Sequence, residues 1–149
     1  MAKKRSERLR SLLKLAQMRE DNAARQLATN SEKLQQAREQ NQQLALYNEE
    51  YQQRFLTQID QPVSARNLRN FQGFFQQLDH VQVQQQHLIE QRDRERELAR
   101  LQWLQLYNRR RVLDQIRERS KLEEDSVSER KLQSEFDDRA ARRFKDTLL

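Results

Sequence analysis

Thr57-Gln58-Ile59-Asp60-Gln61-Pro62-Val63-Ser64 is the one stretch of this chain with the chemistry of a turn. Pro62 disfavours the helical region for Gln61 and has no N–H to give to a helix interior. Ser64 then offers a side-chain oxygen to cap a new helix, with Asn67 rather than the stronger glutamate at the third position. On either side nothing interrupts a helix. The 149 residues hold one glycine, Gly73, and one proline, where globular domains carry about 7% and 5%. Valine, isoleucine and threonine together number 11, too few for a β domain. Glutamine, which occurs 23 times, stands with Leu, Arg, Glu and Ala among the good helix formers. The expectation is an all-α chain, residues 1–149 forming one antiparallel coiled-coil hairpin. Helix one is predicted over about 6–58, the turn over 59–63 and helix two over about 64–144. Helices of that length measure roughly 80 Å and 120 Å.

Outward from the turn, helix one carries a countable heptad. With a at Leu13, Glu20, Leu27, Leu34, Asn41, Asn48 and Phe55, d falls on Leu9, Ala16, Ala23, Asn30, Ala37, Leu44 and Tyr51. Four of the seven a sites and six of the seven d sites are apolar, a coiled-coil pattern in which the asparagines fix register. Helix two is less regular. A frame through Leu78, Val81, Leu88, Ala99, Leu106, Leu113 and Ile116 is interrupted by Arg92 and Glu95, inside a run, Glu90 to Glu97, in which seven of eight residues are charged. That run reads as a solvated stretch of helix supported by ion pairs at i,i+4.

A short connection makes the helices antiparallel neighbours. Pairing residue i with about 123 − i puts Leu9 near Asp114 and Tyr51 near Gln72, and leaves helix two unpartnered after about residue 118. The overhang carries Leu132, Phe136, Ala140 and Phe144 at a spacing of four. A stripe with no partner in its own chain asks for one in another, against the bland reading of a fraying tail.

Composition excludes several functions. No cysteine removes disulfides and thiolate chemistry and suits a reducing compartment. No apolar run approaches the ~20 residues that span a bilayer, and no signal-peptide segment follows the basic start. A seam offers no water-excluded pocket for catalysis. One glycine leaves no phosphate loop, and His80 and His87, seven apart, lack a ligand set for a metal. No enzyme, cofactor, metal or small-molecule substrate is expected. A net charge of +6 suits nucleic acid, an anionic surface or an acidic protein. The run Lys3-Lys4-Arg5-Ser6-Glu7-Arg8-Leu9-Arg10 before leucine heptads raises a basic zipper, but such zippers are parallel dimers. Nucleic acid is kept as the alternative reading, with a steep salt dependence as its mark.

Six of the ten aromatic residues, Tyr47, Tyr51, Phe55, Phe71, Phe74 and Phe75, lie close to the turn. Gln40, Leu44, Tyr47 and Tyr51 follow i, i+4, i+7, i+11, and Phe74, Leu78, Val81 and Gln85 repeat that spacing. Leu44, Tyr51 and Leu78 also fit the seam. A two-stranded seam is too narrow to bury both stripes, so the surplus aromatics are candidate hot spots.

Glu20-Asp-Asn-Ala-Ala-Arg-Gln-Leu27, Leu44-Ala-Leu-Tyr-Asn-Glu-Glu-Tyr51 and Asn70-Phe-Gln-Gly-Phe-Phe-Gln-Gln-Leu78 resemble the FliJ family of flagellar export proteins. The resemblance implies a cytoplasmic, non-enzymatic part of the type III export apparatus at the inner face of the cell membrane. Its fold would be a coiled coil similar to the stalk of rotary ATP synthases. It would bind the export ATPase ring and the membrane export gate, and help recycle export chaperones. By that resemblance the gate-facing surface falls on Gln40, Leu44, Tyr47, Tyr51, Phe74, Leu78, Val81 and Gln85. The ring-facing end falls on Lys3, Lys4, Arg5, Arg8, Arg10 and Lys14, with Arg109, Arg110 and Arg111 opposite and Phe136 and Phe144 as anchors. The stalk protein of a secretion injectisome is the nearest confusable assignment.

Overall fold

The computed structural model describes residues 4–58 and 64–148. All of them but Lys4 and Ser64 are helical, in two elements: α1 (Arg5–Gln58) and α2 (Ala65–Leu148). The two long helices pack against each other, and the fold is all-α. The turn residues 59–63, Pro62 among them, and Lys3 lie outside the described residues. At the start of α2 the Ser64 hydroxyl oxygen accepts the N–H of Asn67 at 3.2 Å, the capping bond that the sequence implies.

The heptad of α1 is realised site by site. Every a and d position from Leu9 to Phe55 is buried or half-buried, and the flanking positions are open except Ala24 and Ser31. Leu13, Ala16, Ala23, Leu34 and Ala37 are the buried members. The small side chains leave room for what the other helix supplies.

That other side corrects the expected frame. The inward lines of α2 run through Phe71, Leu78, Gln85, Arg92, Ala99, Leu106, Leu113 and Ser120, and through Phe75, Gln82, Ile89, Arg96, Trp103, Arg110, Arg117 and Glu124. These sites alternate by four and three without a break, so Arg92 does not interrupt the seam but belongs to it. Val81, expected on it, is 42% exposed. The run from Arg92 to Glu97 is half-buried at every site except Arg94. Its ion pairs are spaced by three rather than four: Arg92 with Glu95, Arg96 with Asp93 and Arg100 with Glu97. Long arginine stems can cover apolar surface while the guanidinium reaches its partner at the edge.

The chain divides into two compact units, one of residues 22–103 and one of residues 1–21 with 104–149. In the first, Tyr51 meets Phe71 and Phe74, close to the expected Gln72, and Gln85 donates to the carbonyl of Ala37 at 3.0 Å. In the second, Glu20 accepts from Arg110 and Ser6 donates to Glu124. The inward sites of the two helices pair at numbers that add to about 126, Phe55 with Phe71 and Ala16 with Arg110 among them, a few residues beyond the 123 expected.

Ser120 is 5% exposed, and Glu124 accepts the Ser6 N–H at 3.1 Å and its hydroxyl at 2.5 Å. A carboxylate of α2 thereby satisfies an orphan N–H in the first turn of α1, where the helix dipole favours negative charge. Unpartnered α2 begins at Asp125 rather than near residue 118: from there every described residue is exposed.

Candidate partner-binding surfaces

In the 22–103 unit five aromatic rings interlock. Tyr51 lies 4.1 Å from Phe74 between centroids, 5.9 Å from Phe71 and 5.9 Å from Phe75. Phe55 packs edge-on against Phe71 at 4.8 Å and Phe75 at 5.6 Å. Offset and edge contacts of this kind add to plain burial. Tyr47 joins at the margin, 6.3 Å from Tyr51, and stays 51% exposed.

The eight residues expected to face a partner here do not form one surface. Leu78, 7% exposed, is seam, and Tyr51 and Phe74 are half-buried in the ring cluster. Leu44 is half-buried too, and Gln85 is turned inward onto Ala37. Gln40, Tyr47 and Val81 are the exposed members. An open hollow of about 390 Å³ brings Tyr51 and Phe74 of the stripes together with Asn67, Asn70 and Phe71, which the stripes leave out. Asn67, Asn70, Phe71 and Phe74 follow i, i+3, i+4, i+7, a helix-face spacing legible in the sequence. The asparagines carry the amide groups that would orient a ligand on the aromatic floor.

In the unit of residues 1–21 and 104–149, Lys4, Arg5, Arg8, Arg10 and Lys14 are exposed, as are Arg109 and Arg111. Arg110 is not free: it donates to Glu20 and lies 5.3 Å over the ring of Tyr107. Lys4 and Arg5 share a hollow of about 350 Å³ with Ser120, Glu123, Glu124, Val127 and Ser128, so two carboxylates sit inside this cationic end. The Ser6 hydroxyl and N–H hold the Glu124 carboxyl below its ordinary pKa, helped by the nearby Lys4 charge. Phe136 and Phe144 stand in the open at 69% and 67% exposure.

Among the described residues no group of three or more His, Cys, Asp or Glu side chains is placed to hold a metal ion. His80 lies beside Gln84 at 3.1 Å and His87 beside Glu90 at 3.9 Å, both on exposed helix. No helix among the described residues is long and apolar enough to cross a membrane.

The profile of one family, described as "Flagellar FliJ protein", matches residues 5–148, nearly the whole chain. The chain belongs to the flagellar FliJ family. No curated protein and no solved structure matches it. As a FliJ-family member it is a component of the flagellar export apparatus, in a family without enzymatic activity.

Proposed function

We propose that this FliJ-family chain couples two parts of the flagellar type III export apparatus: the export ATPase ring and the cytoplasmic region of the membrane export gate. On this reading it works in the cytoplasm, held peripherally at the inner membrane through those partners, and assists the recycling of export chaperones. The basic residues of the terminal unit, Lys4, Arg5, Arg8, Arg10, Lys14, Arg109 and Arg111, suit an acidic pore, with Phe136 and Phe144 as anchors. The aromatic unit faces the gate. The observation that carries the reading, beside the family match, is the exposure of Tyr47, whose ring meets Tyr51 at the margin of the packed ring cluster, and of Val81, seven residues on from Phe74. Aromatic anchors over a preorganised base are where interface energy concentrates.

The test is a pull-down of purified, nuclease-treated protein with the export ATPase and with the gate's cytoplasmic part. Tyr47→Ala/Val81→Ala is the variant of choice, because both side chains are exposed and the seam survives their loss. Leu78→Ala would instead open the seam. The expected result is binding of both partners by the intact chain, and gate binding weakened more than about tenfold in the variant with ring binding and helicity unchanged. Equal gate binding by the variant would reject this surface. Binding of neither partner, with nucleic acid retained before nuclease treatment, would favour the basic-zipper alternative.

A further inference from the structure

The exposed end of α2 reads the same in both directions. Leu132, Phe136, Ala140, Phe144 and Leu148 recur every four residues, and all are exposed, the four large ones at 65–72%. Around an α-helix, Phe136 and Phe144 lie about 40° to either side of Ala140, and Asp137 and Arg143 about 60° to either side, each pair equidistant along the axis. A two-fold axis through Ala140 therefore carries Phe136 onto the position opposite Phe144 of a second copy, and Asp137 onto the position opposite Arg143. Asp137 and Arg143 make no ion pair within the chain among the described residues.

From these relations we infer that the end of α2 pairs with the same segment of a second copy of this chain, antiparallel, about a two-fold axis at Ala140. The methyl of Ala140 lets the two helices approach where they cross. Rows spaced by four are inclined to the helix axis and interdigitate at a crossing of about 50°, so this contact is a local crossing rather than an extension of the coil. It is isologous: each copy gives the phenylalanine pair, the acid and the base, and receives the same. The segment's charge follows the axis. Residues 129–138 hold four acids against two bases, and residues 139–148 four bases against one acid. Antiparallel copies thus bring opposite signs together, while parallel ones would set each charge beside its own copy. The contact lies beyond Ser128, so the seat of Lys4 and Arg5 on α2 is left intact. Five side chains per copy cover less than the ~1,200 Å² of a stable interface, so the dimer is weak and concentration-dependent. Since it covers Phe136 and Phe144, self-pairing and anchoring in a ring exclude each other. The inference itself does not depend on the export reading.

Sedimentation equilibrium of the full chain alone, over roughly 5–500 µM at low salt, tests it. A monomer–dimer equilibrium is expected. Asp137→Arg and Arg143→Asp should each weaken it by about tenfold, and the double swap in one chain should restore it. Mixing the two single variants should also restore dimers. The chain has no native cysteine, so Ala140→Cys supplies a single thiol that should link two copies on mild oxidation. Circular dichroism on each variant checks that helicity is kept. A monomer at every concentration, a dimer indifferent to either single swap, or a double swap that fails to rescue would each overturn the pairing. Normal ring and gate binding by a strictly monomeric chain would do so while leaving the export reading in place.

Discussion

Glu124 accepts both the N–H and the hydroxyl of Ser6, and those bonds draw its carboxyl below its ordinary pKa. A carboxyl with a lowered folded pKa contributes stability that is present above its unfolded value and lost as pH falls through the folded one. The first turn of α1 should therefore loosen in acid, below about pH 4.3. The protection factor of the Ser6 amide should fall there in the wild type, whereas in Glu124→Ala it should be low already at neutral pH and change little with acid. A second contrast at this scale separates seam from surface. Leu34 is 3% exposed and Leu98 68%. Leu34→Ala should cost roughly 2–5 kcal/mol in urea unfolding, and Leu98→Ala within about 0.5 kcal/mol of nothing.

The seam of helix one was legible site by site and that of helix two only in part, for a reason that lies in its side chains. The seam of α1 is written in Leu and Ala, so counting apolar residues finds it. On α2 five of the eight sites of one inward line are Gln82, Arg96, Arg110, Arg117 and Glu124. Long stems let such residues line a seam, and a hydrophobicity pattern registers them as solvent. Val81, Leu88 and Ile116 drew the frame one residue aside. Leu78 fitted both the seam and the partner stripe, and it is seam, while Asn67 and Asn70, at a helix-face spacing, lay outside both stripes. The polar seam is imperfect. The Nε atoms of Arg96 and Arg117 and the Oδ1 of Asn48 are buried without a partner, a state that costs about 1–3 kcal/mol per group. Arg96→Leu should accordingly raise the thermal midpoint, since the Asp93 it abandons is half exposed and keeps its water. A lowered midpoint would mean that the Arg96–Asp93 pair outweighs the orphaned Nε.

At the scale of the whole molecule, the exposed surface is 12833 Å², against roughly 8,100 Å² for a compact protein of 18.2 kDa. No large side chain is fully buried among the described residues. Unfolding therefore uncovers little new apolar area. Calorimetry should give a heat-capacity increment per residue clearly below the ~12–15 cal/mol/K of globular domains. A value inside that range would point to burial by self-association, and would then vary with protein concentration. The family and the helical class followed from composition, one proline and three short segments. Which surfaces bind which partners did not, because exposure is shared by working and idle faces alike.

The Ser6–Glu124 contact also has a meaning in time. The residue that closes the first turn of α1 is separated from it by 118 positions, and a ribosome adds about 5–20 residues per second. Helix one thus spends on the order of ten seconds outside the ribosome before its cap has been synthesised. During that interval the amino-terminal turns of α1 face the cell without the part of α2 that covers them, and whatever guards a nascent chain has to guard this one from its first turn.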